Sequence, residues 1–278
     1  MRRDLFDVAA HAVSSGLRTS LSPSVTALVT PESLVLAYEA GIRHISFSLD
    51  GATPEVHDSF RGVNGSYERT LRAIGAAQDA GLTVQVNTTV SRWTVAELEA
   101  MIGLVHSSGA VMWDLFFLVP TGRARVEDML SADEHERLYH WIYDLSRTAA
   151  FRVKTTLGQP FRRVMIQRSQ EDLTELASVP STNDGKGICF ISHIGEMYPS
   201  GFLPLSCGNV RAASLVETYQ AHPVFLSLRS PDRLKGKCGN CPFNAICGGC
   251  RARAYACTGD YMAEEPACAY DPATAQAG

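Results

Sequence analysis

Residues 44–88 run HISFSLDGATPEVHDSFRGVNGSYERTLRAIGAAQDAGLTVQVNT: a strand, a turn, a helical stretch and a second strand. His44 to Leu49 alternates apolar and polar side chains, the two-residue period of a strand, and ends in the turn pair Asp50-Gly51. Ser66 is placed to cap a helix, Gly81 to close it, and Leu82 to Thr88 resumes the strand period. Upstream, Thr30-Pro31 reads as an N-cap followed by proline at the first helical position, opening a helix that stops at Gly41. Leu17 to Leu21 forms a short strand before it, and Leu5, Val8, Ala9 and Ala12 fall at helical spacing up to Gly16. Downstream, Thr94 with Glu97 makes a capping box for a helix ending near Gly109. Val111 to Val119 is mostly apolar, as in a strand buried on both faces.

Strands separated by helices pair in parallel through right-handed crossovers, so the first 120 residues fit part of a β/α barrel or an open doubly wound sheet. In both, chemistry collects beyond the carboxyl ends of the strands. Those ends carry Ser48-Leu49-Asp50-Gly51, Asn87-Thr88-Thr89 and Pro120-Thr121-Gly122-Arg123. Further on, Ser131 and Glu134 form a second capping box for a helix to about Arg147, Phe151 to Thr155 is a candidate strand, and Phe161 to Gln170 a candidate helix. The polar, turn-rich SVPSTNDGK at 178–186 marks a boundary between a first domain, 1–180, and a second, 181–278. In the second, Ile188 to Ile191 and Met197-Tyr198 read as a hairpin, and the tail past Asp271 as frayed.

All eight cysteines lie in this second domain, and none precedes Cys189. Four follow the spacing Cys238-x2-Cys241-x5-Cys247-x2-Cys250, with Cys189 and Cys207 before them and Cys257 and Cys268 after. A short turn points thiolates two residues apart toward one metal centre. Eight suit two four-ligand centres such as [4Fe–4S] clusters, and tetrahedral zinc takes the same four thiolates. So turn-rich a segment has little core of its own and draws its shape from bound metal. The rest of the composition excludes other classes. The 45% of hydrophobic residues supplies ample core, and a net charge of -4 gives no basic field for nucleic acid. No apolar run reaches the roughly 18 residues that span a bilayer, and the N-terminus lacks the ordered regions of a signal peptide. The expectation is a cytoplasmic protein without a membrane partner, in which clustered cysteines mean metal or redox chemistry rather than disulfides.

ISFSLDGATPEVHDSFRGVNGSYERTLRAI at 45–74, Gly122-Arg123-Ala124 after an apolar strand, and the cysteine pattern together resemble the radical SAM enzymes that carry a C-terminal SPASM domain. The first resembles that family's fourth-strand segment and the second its sixth-strand exit. The SPASM pattern runs Cys-x9-15-Gly-x4-Cys, a gap, Cys-x2-Cys-x5-Cys-x3-Cys, a gap, and Cys. Cys189, Gly201 and Cys207 match its first part, with five residues after the glycine in place of four. Cys238, Cys241, Cys247 and Cys250 match the second, with two residues in the last spacing in place of three, and Cys268 closes it. CGGCRARAYA at 247–256 is most similar to branches related to alternative haem biosynthesis. The resemblance covers nearly the whole chain. It implies an α/β fold: a partial β/α (TIM-like) radical SAM barrel followed by a small cysteine-rich SPASM iron–sulfur domain.

The resemblance also implies roles. Cys238, Cys241, Cys247 and Cys268 would hold one auxiliary [4Fe–4S] cluster. Cys189, Cys207 and Cys250 would hold the other, with its fourth position open or taken by Cys257, which is otherwise a small buried thiol. Ser48, Asp50 and Asn87 would lie beside S-adenosylmethionine at the barrel mouth, and Arg61 and Arg69 would offer its carboxylate a bidentate fork. All but Ser48 have a plain alternative: Asp50 as a turn former, Asn87 as a loop cap, the arginines as solvated helix charges. His57-Asp58 reads as a loop or helix-start pair rather than a metal dyad. The family generates its radical with a cluster on a Cys-x3-Cys-x2-Cys loop and holds the SAM amino group with a Gly-Gly-Glu segment; this chain has neither. It is expected to begin in the helix after the family's second strand, to bind auxiliary clusters, and not to cleave SAM by itself. A full-length form is expected to abstract hydrogen from a peptide or tetrapyrrole, with flavodoxin or ferredoxin as electron donor. A non-catalytic, metal-stapled binding module is the alternative.

Overall fold

The computed structural model describes residues 3–169 and 181–275, so the boundary segment anticipated at 178–186 lies outside the described residues as far as Pro180. The chain divides into two compact units, Met1–Phe116 with Leu145–Lys154, and Phe117–Asp144 with Thr155–Gly278.

The first unit is built on a five-stranded parallel sheet in the order β1 (Ser20–Leu21), β2 (His44–Ser48), β3 (Thr83–Val90), β4 (Met112–Phe117) and β5 (Arg152–Thr156). Side chains alternate across a strand, so register decides what each face presents. His44 pairs with Thr83, Ser46 with Gln85 and Ser48 with Asn87, which lines up one polar face. Ile45, Phe47, Val84 and Val86 point the other way and are all buried. The same unit holds helices α1 (Leu5–Ser14), α2 (Pro31–Glu39), α3 (Pro54–Arg61), α4 (Ser66–Asp79) and α5 (Leu98–Ser107), of which α4 packs on β2 and β3 and against α2 and α3. Ala73, Ile74 and Ala77 of α4 and Met101 and Val105 of α5 are buried. Each large aliphatic or aromatic side chain so buried contributes about 1.5–3 kcal/mol. Thr30 caps α2 reciprocally with Ser33, each side chain accepting from the other's backbone N–H.

Two caps differ from the sequence expectation. The N-cap of α4 is Gly65, with φ 72°, so Ser66 is already helical. Its orphan N–H groups are met from α3: the Asp58 carboxylate accepts from Gly65 N (2.5 Å), Tyr67 N (2.7 Å) and Ser66 Oγ (2.8 Å). Thr94 makes no capping box either, since its hydroxyl donates to Thr89 O (2.5 Å) and accepts from Ser91 N (3.0 Å). Glu97 instead accepts from Ala52 N (2.9 Å). The Leu17 to Leu21 strand contracts to Ser20–Leu21, and past Asp271 the described residues form a helical turn, Pro272–Ala275.

The second unit has an aromatic nucleus. Phe117 stacks within 4.8 Å of Tyr139 and 5.4 Å of His135, both on α6 (Ala132–Thr148), and Tyr139 lies 6.2 Å from Phe161 on α7 (Pro160–Arg168). Ser131 and Glu134 cap α6 as a box. Beyond residue 181 regular structure is sparse. An antiparallel hairpin pairs β6 (Phe190–Ile191) with β7 (Met197–Tyr198), and short helices follow, α8 (Leu215–Ala221), α9 (Pro223–Leu228), α10 (Gly236–Gly239) and α11 (Arg251–Thr258).

Burial holds the His135 imidazole down to about 4, with Arg253 adding to the effect, and its Nδ1 donates to Ser131 O at 2.9 Å. The unfolded chain, with histidine near 6.5, binds the proton first as pH falls, so this residue withdraws stability from pH 7 downward. Between pH 7 and pH 5 the loss is about 2 kcal/mol. Urea midpoints of the wild type and His135→Asn at the two pH values check it. The wild type should lose that much more than the variant, and parallel curves would refute it.

Candidate functional site

The densest gathering of reactive side chains lies in the second unit. Cys238 sits in α10, and the chain then turns through Cys241 to Cys247, whose N–H bonds Phe243 O at 2.8 Å. Gly248 and Gly249 follow, both left-handed (φ 65° and 63°), and Cys250 caps α11, its sulfur accepting from Arg253 N at 3.4 Å. The double reversal turns the chain back on itself. Cys238, Cys241, Cys247 and Cys268 thereby line a single cavity together with Pro160, Arg163, Asn244 and Tyr270. Among the described residues, no three His, Cys, Asp or Glu side chains are gathered for a single metal ion.

Donors are aimed at the sulfurs. Glu265 N lies 3.3 Å and Arg251 Nη2 3.8 Å from Cys238 Sγ, and Gly249 N lies 3.4 Å from Cys247 Sγ. Burial pushes the Cys268 thiol up to about 11 and the Cys247 thiol higher still, so thiolates in this cavity need a cationic centre to sustain them. Arg163, 3% exposed, has its terminal nitrogens engaged by Glu136 and by Gln167 (2.6 Å), and its guanidinium lies 4.8 Å over the Tyr270 ring. Its Nε is buried and finds no hydrogen-bond partner among the described residues. A buried donor left over in the wall of a cavity lined by four cysteines fits a sulfide-bearing group there.

Glu265, which lines the cavity, belongs to a fully buried ion pair. Arg253 Nη1 meets Glu265 Oε2 at 3.1 Å, and the same guanidinium donates to Leu118 O (3.0 Å) and Leu157 O (2.8 Å). Glu265 also accepts from Cys250 N (2.5 Å) and Ala267 N (3.0 Å). Burial opposes both charges. Mutual attraction outweighs it, raising Arg253 above and holding Glu265 below their ordinary values. Glu265, Arg251, Arg253 and Arg163 were not singled out from the sequence. The available signal was charge placed against the cysteines, as in Cys250-Arg251-Ala252-Arg253.

The remaining cysteines are placed elsewhere in the unit. Cys207 is buried against Met197 and Phe225, and Cys189 packs on the same cluster. Burial, reinforced by the neighbouring Cys189, raises the Cys207 thiol to about 11. The Cys250 sulfur lies among the charges of Arg253, Asp184 and Glu265, and burial raises it to about 12. Cys257 is half-buried, its sulfur 4.0 Å from that of Met129.

In the first unit the polar sheet face carries Ser48, at the end of β2, and its partner Asn87, within β3. Asn87 Oδ1 accepts from Gln85 Nε2 (2.6 Å), and Lys154 Nζ reaches Asp114 Oδ2 at 2.9 Å. Asp50 is fully buried and built into the frame. Its Oδ1 accepts from Thr89 N (2.7 Å), its N–H donates to His57 Nδ1 (3.0 Å), and its Oδ2 pairs with Arg61 Nη2 (2.5 Å). Burial keeps His57 below its usual value, consistent with the neutral ring that acceptance requires. Arg69 makes a local bond to Asn64 O (3.3 Å).

The profile described as Radical SAM superfamily matches residues 1–105. An AdoMet-dependent heme synthase of Methanosarcina barkeri is 40% identical over 279 residues, covering 98% of this chain and 80% of that protein. A PqqA peptide cyclase of Methylocella silvestris is 26% identical over 289 residues, covering 98% of this chain and 72% of that one. In fold, the chain superposes on the crystal structure of Streptococcus suis SuiB with a TM-score of 0.73 at 13% identity, over 96% of this chain and 64% of SuiB.

Proposed function

The chain belongs to the radical SAM superfamily, and on that premise we propose that its C-terminal unit carries auxiliary [4Fe–4S] clusters in a SPASM arrangement serving a SAM-dependent enzyme that modifies a tetrapyrrole. By family it is an enzyme, and the family binds S-adenosylmethionine and iron–sulfur clusters. The cavity ringed by Cys238, Cys241, Cys247 and Cys268, with the spare Arg163 donor, is the observation that carries the reading. Those four cysteines would hold one cluster, and Cys189, Cys207 and Cys250 a second. A cluster in the cavity supplies one-electron exchange, with flavodoxin or ferredoxin as the external donor. Arg251 and the backbone N–H groups of Gly249 and Glu265 supply hydrogen bonds to the cavity sulfurs, and Arg163 supplies positive charge in the cavity wall. Ser48 and Asn87, on the polar sheet face, are the residues in position to meet SAM or substrate, while Asp50 acts on that site by orienting Arg61. A tetrapyrrole is favoured over a peptide because identity to the heme synthase, 40%, exceeds that to the peptide cyclase, 26%, over the same 98% of the chain. No cysteine precedes Cys189, so this polypeptide is proposed to bind clusters without cleaving SAM.

The test is iron, acid-labile sulfide and zinc per chain after anaerobic reconstitution. About eight irons with equal sulfide are expected for two [4Fe–4S] centres. Zinc that withstands iron and sulfide would favour a structural module and sink the redox reading. For the substrate, an iron porphyrin should give a saturable Soret shift with the holo-chain that PqqA peptide does not displace. Displacement by the peptide would reverse that choice.

A further inference from the structure

One guanidinium beside the cavity has no structural need of the cysteines, yet it touches one. Arg251, 1% exposed, donates from Nε to Gly249 O (3.3 Å) and from Nη1 to Tyr261 O (3.2 Å) and Ala263 O (2.6 Å). Three backbone carbonyls fix the plane of the group, and its remaining nitrogen, Nη2, is aimed at Cys238 Sγ at 3.8 Å. The approach is possible only because residue 249 is glycine. A Cβ there would collide with Nη2 and lie 2.8 Å from Glu265 Cβ, and the backbone, at φ 63°, is left-handed. Loop, helix and the 261–263 segment thus converge to hold one positive charge against one cavity sulfur.

We propose that Arg251 sets the reduction potential of the cluster held by Cys238, Cys241, Cys247 and Cys268, acting as a preorganised, charge-assisted donor to the Cys238 sulfur. The proposal rests on the cluster reading above. A four-thiolate cluster is negatively charged, and accepting one electron makes it more so. A buried, fixed guanidinium donating to a ligand sulfur stabilises the reduced form more than the oxidised one, and so raises the potential. Arg251 is a positioning residue in this role, touching the ligand rather than the substrate.

The experiment is a dithionite titration of the reconstituted holo-chain at controlled potential, following the reduced-cluster EPR signal that Cys268→Ala removes. Arg251→Lys keeps a charge but replaces the planar fork with a flexible point donor. At a fixed potential its reduced-to-oxidised ratio should fall about tenfold, a downward shift of about 59 mV for one electron. An unchanged midpoint with full iron and sulfide overturns the proposal. Where Arg251→Lys does not assemble, wild-type holo-chain labelled with nitrogen-15 in its arginine guanidinium groups gives the answer. A hyperfine coupling that persists in Arg163→Lys, the variant lacking the other cavity guanidinium, is expected, and its absence overturns the proposal. A wild-type chain that takes up no iron overturns the cluster reading itself, which the iron count distinguishes from an unshifted potential.

Discussion

Glu265→Ala should destabilise the chain by about 3–5 kcal/mol, the cost of breaking a buried pair by removing one partner. Glu265 and Arg253 are each 0% exposed, so the guanidinium stranded by the substitution cannot turn to water. It would keep Leu118 O and Leu157 O as acceptors but lose its counter-charge, and the N–H groups of Cys250 and Ala267 would lose their acceptor. The double variant Arg253→Met with Glu265→Leu should be far less harmful, because it removes both desolvated charges together. Urea unfolding of the three proteins at one pH measures this. A single-variant loss below about 1 kcal/mol would show that the pair is not sealed from solvent. The same substitution disturbs the cavity, since the Glu265 side chain lines it, so iron uptake should fall along with stability.

Cys247→Ala should halve the iron, from about eight to about four per chain, with a matching loss of sulfide. Cys247 closes the turn from Cys241, its sulfur accepts from Gly249 N, and it lines the cavity with three other cysteines. A cluster deprived of one of four thiolates exposes an iron and is readily lost. Because metal–ligand energy is also folding energy, the midpoint of thermal unfolding should drop with the iron. Cys257→Ala provides the contrast. The Cys257 thiol packs on the Met129 sulfur, and its removal should leave iron and sulfide at the wild-type level. Iron unchanged in Cys247→Ala would exclude the cavity as a cluster site. A loss in Cys257→Ala would make that thiol the fourth ligand of the second centre.

What could be read from the sequence was what depends on neighbours along the chain. The strands at His44–Ser48 and Thr83–Val90 follow from a two-residue period, the cap at Thr30 from the proline after it, and the cap at Ser131 from its partner three residues away. The cysteine spacing was equally plain, because one turn must present paired sulfurs together. What could not be read depends on chain far off in sequence. Ser66 has the chemistry of a cap, but Asp58 serves α4 from the preceding helix. Thr94 has the same chemistry, and its hydroxyl is drawn back to Thr89 O. Asp50 reads either as a group beside S-adenosylmethionine or as a turn former, while burial, Thr89 and Arg61 make it part of the frame. Arg251 and Arg253 were not singled out from the sequence because their acceptors, at residues 118, 157, 261, 263 and 265, come together only in the folded chain.

The discontinuous make-up of the second unit bears on how this protein can be dissected. The chain enters that unit at Phe117, leaves it after Asp144 and re-enters at Thr155, so no single cut releases it whole. A fragment begun at residue 181 would contain every cysteine, and composition alone would recommend it. It would lack Pro160 and Arg163 from the cavity wall, along with both carbonyls, Leu118 O and Leu157 O, that anchor Arg253. Cluster content or midpoints recorded on such a truncation would describe a breached vessel, with water admitted where the intact chain keeps a guanidinium.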